Sequence, residues 1–197
     1  MNEKKAVFII PGFRHSPSNI AYKEIAKIMR VEGHLPIPVK IPWRETTISQ
    51  NTKKFLKKFK KNNSKKKFIL GFSYGAMIAF LASTKVKVSG LILCSLSPYF
   101  KEDLEKVNYN RFSKLSVSRY EDFSTMNCKT MAKKIKTKNI RFLYGTKESK
   151  ALINRVTYAF TKIPYDNKYL IPIKKTAHDI GARNYLNTIH QIAKELV

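Results

Sequence analysis

The sequence predicts an α/β fold: a three-layer sandwich in which a mostly parallel sheet of about six strands carries helices on both faces. Two observations predict it. Six short β-rich runs recur at 7–10, 37–41, 68–70, 91–94, 140–144 and 169–173, and helical patterns lie between most of them. The strands are apolar without clear alternation, which is the pattern of a parallel sheet covered on both sides.

Taken in order, the first strand (VFII) runs into Pro11 and Gly12. Ser16 followed by Pro17 then reads as an N-cap with proline at the first helical position, opening a helix whose Tyr22, Ile25, Ile28 and Met29 share one face. The second strand precedes a helix over 47–61 in which Ile48, Phe55, Leu56 and Phe59 form an apolar side and lysine fills the other. A basic amphipathic helix of this kind can lie on a membrane surface, but its place between two strands at βαβ spacing favours packing on the core. The third strand leads through GFSYG into a helix, residues 76–82, that is apolar on almost every face. Leu152, Val156 and Phe160 mark a later helix, and Leu186, Ile189, Ala193 and Leu196 mark the last.

One connection breaks the rhythm. Residues 97–138 are rich in aromatics (Tyr99, Phe100, Tyr109, Phe112, Tyr120 and Phe123, with Met126) and are expected to form a small lid or pocket wall inserted in a single domain spanning 1–197. The alternative is that these side chains simply pack the connection onto the core.

The chain has 197 residues, enough for one sizeable core, and no stretch approaches the roughly 20 continuous apolar residues that span a bilayer. The apolar run before Pro11 is too short for a signal-peptide core. Cys94 falls in an expected strand and Cys128 near an expected helix start, a spacing that makes neither a metal knuckle nor a redox pair. Reduced structural thiols and a cytoplasmic location follow as expectations.

The formal charge of +26 invites a nucleic-acid reading. However, 31 of the 39 basic residues are lysines, whereas arginine is the residue suited to bidentate recognition of phosphates and bases, and no nucleic-acid fold motif accompanies them. Solvated surface charge is the simpler account. At low salt it would still draw anionic substrates or carrier proteins toward the molecule.

The GFSYG segment carries the chemistry. A bare GxSxG is short and also describes ordinary Gly/Ser turns, but here an apolar strand precedes it and an apolar helix follows it. Gly71 and Gly75 lack a Cβ and so let strand and helix approach closely around Ser73. Such a turn lifts the serine oxygen above the sheet and aims the first helix amides at whatever the serine attacks.

A serine hydroxyl needs a neighbouring base. The chain has four histidines. His190 lies within the final helix and His34 in the turn before the second strand. His15, just after the first strand, can reach a pocket but stands where a base is not expected. His178, in the loop after the last strand, lies at the C-terminal sheet edge where open α/β sheets bind ligands. An acid must then orient the imidazole. Glu148 follows its strand by a few residues, with Gly145 supplying a tight turn. Asp179 adjoins His178, and neighbouring side chains in a loop usually diverge. Asp166 precedes the last strand and belongs at the opposite edge.

The GFSYG turn and the order Ser73, Glu148, His178 resemble the α/β-hydrolase superfamily over nearly the whole chain, in particular its small members that lack the extra N-terminal antiparallel strands. The resemblance implies an oxyanion hole from two backbone amides, carried here by Tyr74 and by Phe13 in the PGFRH loop. Proline stands where the family's HG-type loop has histidine, glutamate where its acid is more often aspartate, and TAHD where GxGH is frequent. What this implies is a serine hydrolase that cleaves an ester or thioester through an acyl-enzyme, with no metal or organic cofactor. Trp43 and the aromatics of 97–138 suggest an apolar acyl pocket, and the lysines leave room for an anionic headgroup, coenzyme A or a carrier protein. A peptidase or amidase would share the triad, and a non-catalytic binding protein could use the same scaffold.

Overall fold

The computed structural model describes residues 5–105 and 116–196. Six strands form one sheet: β1 (Ala6–Ile10), β2 (Leu35–Pro38), β3 (Lys67–Phe72), β4 (Gly90–Cys94), β5 (Ile140–Gly145) and β6 (Lys168–Ile173). Their order is β2-β1-β3-β4-β5-β6 and every neighbouring pair is parallel. The α/β expectation is met.

Alternate residues along the four inner strands feed two separate cores. Phe8, Ile10, Ile69, Leu93 and Phe142 face one layer, built from α2 (Ile48–Lys61), α3 (Tyr74–Ser83) and later α7 (Lys150–Lys162). Val7, Ile9, Phe68, Leu70 and Ile92 face the other, built from α1 (Ile20–Val31) and α8 (Arg183–Lys194). Both faces of the sheet are therefore dry over its inner strands, which is why those strands carry no polar alternation. Helix α2 is used as a core-packed helix: its Phe55 and Phe59 rings lie 5.7 and 4.9 Å from Phe8, while Lys53, Lys54, Lys57 and Lys58 remain exposed. No helix among the described residues is long and apolar enough to cross a membrane.

Two elements differ from expectation. Residues Ser16 and Pro17 do not start α1, which begins at Ile20 with Asn19 as N-cap. The Asn19 amide donates to the Ser16 carbonyl and the Asn19 side chain accepts from the Ser16 amide, so SPSN closes a turn of its own ahead of the helix. Strand β2 spans Leu35–Pro38 rather than 37–41. The Leu35 and Val39 amides donate to Lys5 and Ile9, so Pro36 and Pro38 occupy alternate positions whose missing N–H would face away from the sheet. Prolines so placed are tolerated on an edge strand and block further pairing there.

Among the described residues, the connection after β4 contains three short helices, α4 (Lys101–Leu104), α5 (Val117–Ser124) and α6 (Cys128–Ala132). Much of it is core: Phe100, Phe123 and Met126 are buried, and Phe100 meets Phe80 edge-on at 5.3 Å. Tyr109 and Phe112 lie outside the described residues.

The strand order reverses at β1, which sends its connection one way to β2 while β3 and its successors run the other way. The crevice at the C-terminal ends of β1 and β3 is the switch point where open α/β sheets hold ligands. Gly12 and Phe13 lie on one side of it and Ser73 on the other.

Candidate active site

Ser73 links β3 to α3 with φ 56° and ψ −120°, a conformation disfavoured for any residue with a Cβ. The turn is held by its glycines. A Cβ on Gly71 would lie 2.3 Å from the Gly75 carbonyl oxygen, and one on Gly75 would lie 2.2 Å from that of Ile10. The Ser73 amide donates to the Cys94 carbonyl at 2.8 Å, which ties the turn to β4.

His178 and Glu148 come from the loops after β6 and β5, and those loops are laced together. The Lys147 amide donates to the Thr176 carbonyl, and the Lys175 amide to the Thr146 hydroxyl. Gly145 permits this approach, since a Cβ there would sit 2.2 Å from the Thr176 carbonyl oxygen. The Glu148 side chain is fully buried; Oε2 accepts from the Gly145 amide at 3.2 Å, and Oε1 lies 2.8 Å from His178 Nδ1. His178 Nε2 is 3.0 Å from Ser73 Oγ. The imidazole lies against the Phe72 ring at 4.8 Å and keeps one side open to solvent.

The other sequence candidates are occupied elsewhere. Asp179 Oδ1 accepts from the Gly181 amide, Asp166 is exposed ahead of β6, His190 pairs with Glu32, and buried His34 bonds the Ala193 carbonyl. His15 does reach the cavity. Its Nδ1 lies 2.9 Å from the Tyr22 hydroxyl, which also accepts from the Gly12 amide and so braces the loop after β1. Partial burial, with the nearby His178 adding to it, holds the His15 pKa below its ordinary value.

Among the described residues, no acceptor sits on the amides of Phe13 or Tyr74. Their rings stack at 4.9 Å, which brings the loop after β1 against the first turn of α3. Burial pushes the Tyr74 phenol up to about 12. Arg119 of α5 lies over the Phe13 ring at 4.9 Å and donates to the Trp43 and Thr46 carbonyls, closing the long connection over this loop. Trp43, expected to line an acyl pocket, instead packs edge-on behind Phe13 (5.8 Å) and Tyr74 (6.1 Å). It adds stiffness to the wall rather than lining to the cavity.

Ser73 and His178 open into a cavity of about 440 Å³, whose wall includes Phe13, Tyr99, Leu152 and Arg155. Two of its polar side chains are invisible to motif reading. Ser97, after β4, places its buried Oγ 2.9 Å from Ser73 Oγ. Arg155 of α7 is 6% exposed and pairs with Asp103 at 2.7 Å. Its one sequence signal was a charge set between Leu152 and Val156 on an apolar helix face. The thiols of Cys94 and Cys128 are buried and free, and burial pushes both well up, which leaves them unreactive.

Solved structures superpose on this chain over nearly its full length. Est1E from Butyrivibrio proteoclasticus, solved with ferulic acid bound, superposes with a TM-score of 0.80 over 98% of this chain and 88% of its own, at 14% identity. The fold is that of the α/β hydrolases. The esterase Pf2001 of Pyrococcus furiosus matches with a TM-score of 0.72 at 16% identity, covering 99% of this chain and 82% of that one. Dienelactone hydrolase from Anabaena variabilis matches with a TM-score of 0.74 at 13% identity, over 99% and 86%. No protein-family model and no curated protein matches the sequence. In the terms of the α/β-hydrolase fold, Ser73 stands at the turn after β3, Glu148 after β5 and His178 after β6.

Proposed function

We propose that this α/β-hydrolase chain is a serine hydrolase that cleaves a carboxylic ester or thioester through an acyl-enzyme. The observation that carries the reading is the continuous chain Glu148 Oε1, His178 Nδ1, His178 Nε2, Ser73 Oγ, with steps of 2.8 and 3.0 Å. A carboxylate at Glu148 accepts the Nδ1 proton, which leaves the Nε2 lone pair facing the serine hydroxyl. Ser73 then attacks the acyl carbon while His178 takes its proton and passes it to the leaving alcohol or thiol. The amides of Phe13 and Tyr74 receive the developing oxyanion, a contribution of roughly 3–4 kcal/mol per donor. Water, deprotonated by His178, releases the acid and restores Ser73. The chemistry calls for no metal or organic cofactor.

In this reading the chain is a single domain, and the connection that follows β4 contributes to the pocket wall through Ser97, Pro98 and Tyr99. The structural neighbours whose names include esterase and dienelactone hydrolase support a small ester as substrate class. The two free buried thiols agree with a reducing, cytoplasmic setting.

The test is labelling of the folded protein with a fluorophosphonate, followed by a series of esters, thioesters and amides of graded acyl length. Labelling at Ser73 that disappears in Ser73→Ala, with turnover lost alongside it, is the expected result. Unlabelled Ser73 beside a labelled control esterase would leave a binding protein on a hydrolase scaffold. Preferential turnover of the amides would make the chain an amidase or peptidase.

A further inference from the structure

Arg155 is a cation inside an apolar helix face. It lies among Leu152, Val156 and Ala159 on the buried side of α7, and a guanidinium so placed must be compensated. The compensation is partial. Asp103 Oδ2 takes the Nε proton at 2.7 Å while also accepting from the Phe100 amide at 2.8 Å, and the Tyr99 ring lies 5.0 Å beneath the guanidinium carbon. Among the described residues, no acceptor reaches Nη1 or Nη2. The free end of the guanidinium is the two-pronged fork that fits a carboxylate bidentately.

That residue borders the same cavity as Ser73 and His178. No aspartate or glutamate lines that cavity among the described residues. The acids beside it are engaged: Glu148 with His178 and the Gly145 amide, Asp103 as above, and Glu102 with the Cys128 and Lys129 amides, these last two lining an adjoining cavity that Arg155 also borders. A carboxylate entering the cavity would thus meet the open Nη positions of Arg155, with the Glu148 carboxylate screened behind the His178 ring. Among the described residues the fully buried unpartnered side-chain atoms are Asn51 Oδ1 and Thr52 Oγ1, so the Arg155 Nη groups are open to solvent. A neutral substrate covering them would leave them without a partner, which is how a site rejects an analogue lacking the complementary group.

We infer that Arg155 is a specificity-determining residue that binds a carboxylate carried by the substrate, so that the ester attacked by Ser73 is anionic. The inference deepens the hydrolase reading and rests on it for the chemistry, but not for the binding. The carboxylate can belong to the acyl part or to the alcohol part, and the test has an arm for each.

In the acyl arm, kcat/KM is compared for the p-nitrophenyl monoester of glutaric acid and for neutral p-nitrophenyl valerate. In the alcohol arm, 4-carboxyphenyl acetate is compared with its methyl ester. The expected result is a preference for the anionic member in one arm that falls at least tenfold in Arg155→Gln. Because that variant leaves the half-buried Asp103 without its partner, the double variant Arg155→Gln/Asp103→Asn is measured beside it, with the melting temperature recorded for both. No anionic preference in either arm, or a preference unchanged in a folded variant, overturns the inference. If the wild-type protein turns over no ester, titration calorimetry with glutarate decides separately from the hydrolase reading. Binding that is lost in the variant upholds the role of Arg155, and binding that is absent or equal in both removes it.

Discussion

The Ser97 hydroxyl lies 2.9 Å from the Ser73 hydroxyl, and both side chains are buried. In the proposed mechanism Ser73 gives its own proton toward His178 Nε2, which makes its oxygen the acceptor in the contact with Ser97. Ser97 then holds the Ser73 rotamer through a second hydrogen bond beside the one to the imidazole. A hydrogen bond of this kind is worth about 1 kcal/mol, so Ser97→Ala should lower kcat/KM roughly fivefold, with KM little changed. Steady-state kinetics on one good ester checks this, and Ser97→Thr, which keeps the hydroxyl, should recover part of the loss.

The acid can be assigned by a paired substitution. Glu148→Gln keeps the shape but offers an amide to Nδ1 and favours the wrong imidazole tautomer, a change expected to cost on the order of 10⁴ in kcat. Asp179→Asn should stay within about threefold of wild type, because Asp179 Oδ1 serves the Gly181 amide. Equal losses in the two variants would show that Asp179 shares the role.

The elbow glycines should be intolerant of substitution in a graded way. In Gly75→Ala the new Cβ meets the Ile10 carbonyl oxygen at 2.2 Å, backbone that cannot give way without parting β1 from α3. A loss of about 3 kcal/mol is expected by denaturant titration. Gly33→Ala is the control: it meets nothing within 4 Å and carries only the strain of φ 76°, about 1 kcal/mol.

His15 predicts a pH dependence of stability. Partial burial, and then the charge of His178, lower its folded pKa below 6.5, while Asp179 opposes the shift. The unfolded chain then binds the proton more tightly, so the contribution of His15 is full above pH 6.5 and is lost as pH falls through the lowered folded value. The melting temperature of wild type should fall more on acidification from about pH 7 to 5 than that of His15→Gln. The ring is largely exposed, so the difference should be about 1–2 °C. Parallel melting curves in the two proteins would remove His15 as a source.

Much of the fold was legible because its signals are local. A strand buried on both faces reads as an apolar run, a helix packed on one face reads as a 3.6-residue stripe, and GFSYG announces its turn through two glycines that nothing larger can replace. Where local signals misled, neighbours were responsible. Ser16 and Pro17 carry a helix start, yet the Asn19 side chain closes SPSN into a turn first. Trp43 follows a strand like a pocket residue, yet the Phe13 and Tyr74 rings stand in front of it.

The sequence by itself determined the elements, their order along the chain and the candidates Ser73, Glu148 and His178, each marked by a turn or loop at a strand's C-terminal end. The tertiary structure decided which of those side chains meet. Ser73 and His178 are 105 residues apart, and their contact exists because β3 and β6 belong to one parallel sheet whose C-terminal ends share an edge. Ser97 and Arg155 had no motif to announce them. A hydroxyl beside Ser73 and a guanidinium in the cavity wall are properties of the space between strands and helices, and no periodicity along the chain encodes that space.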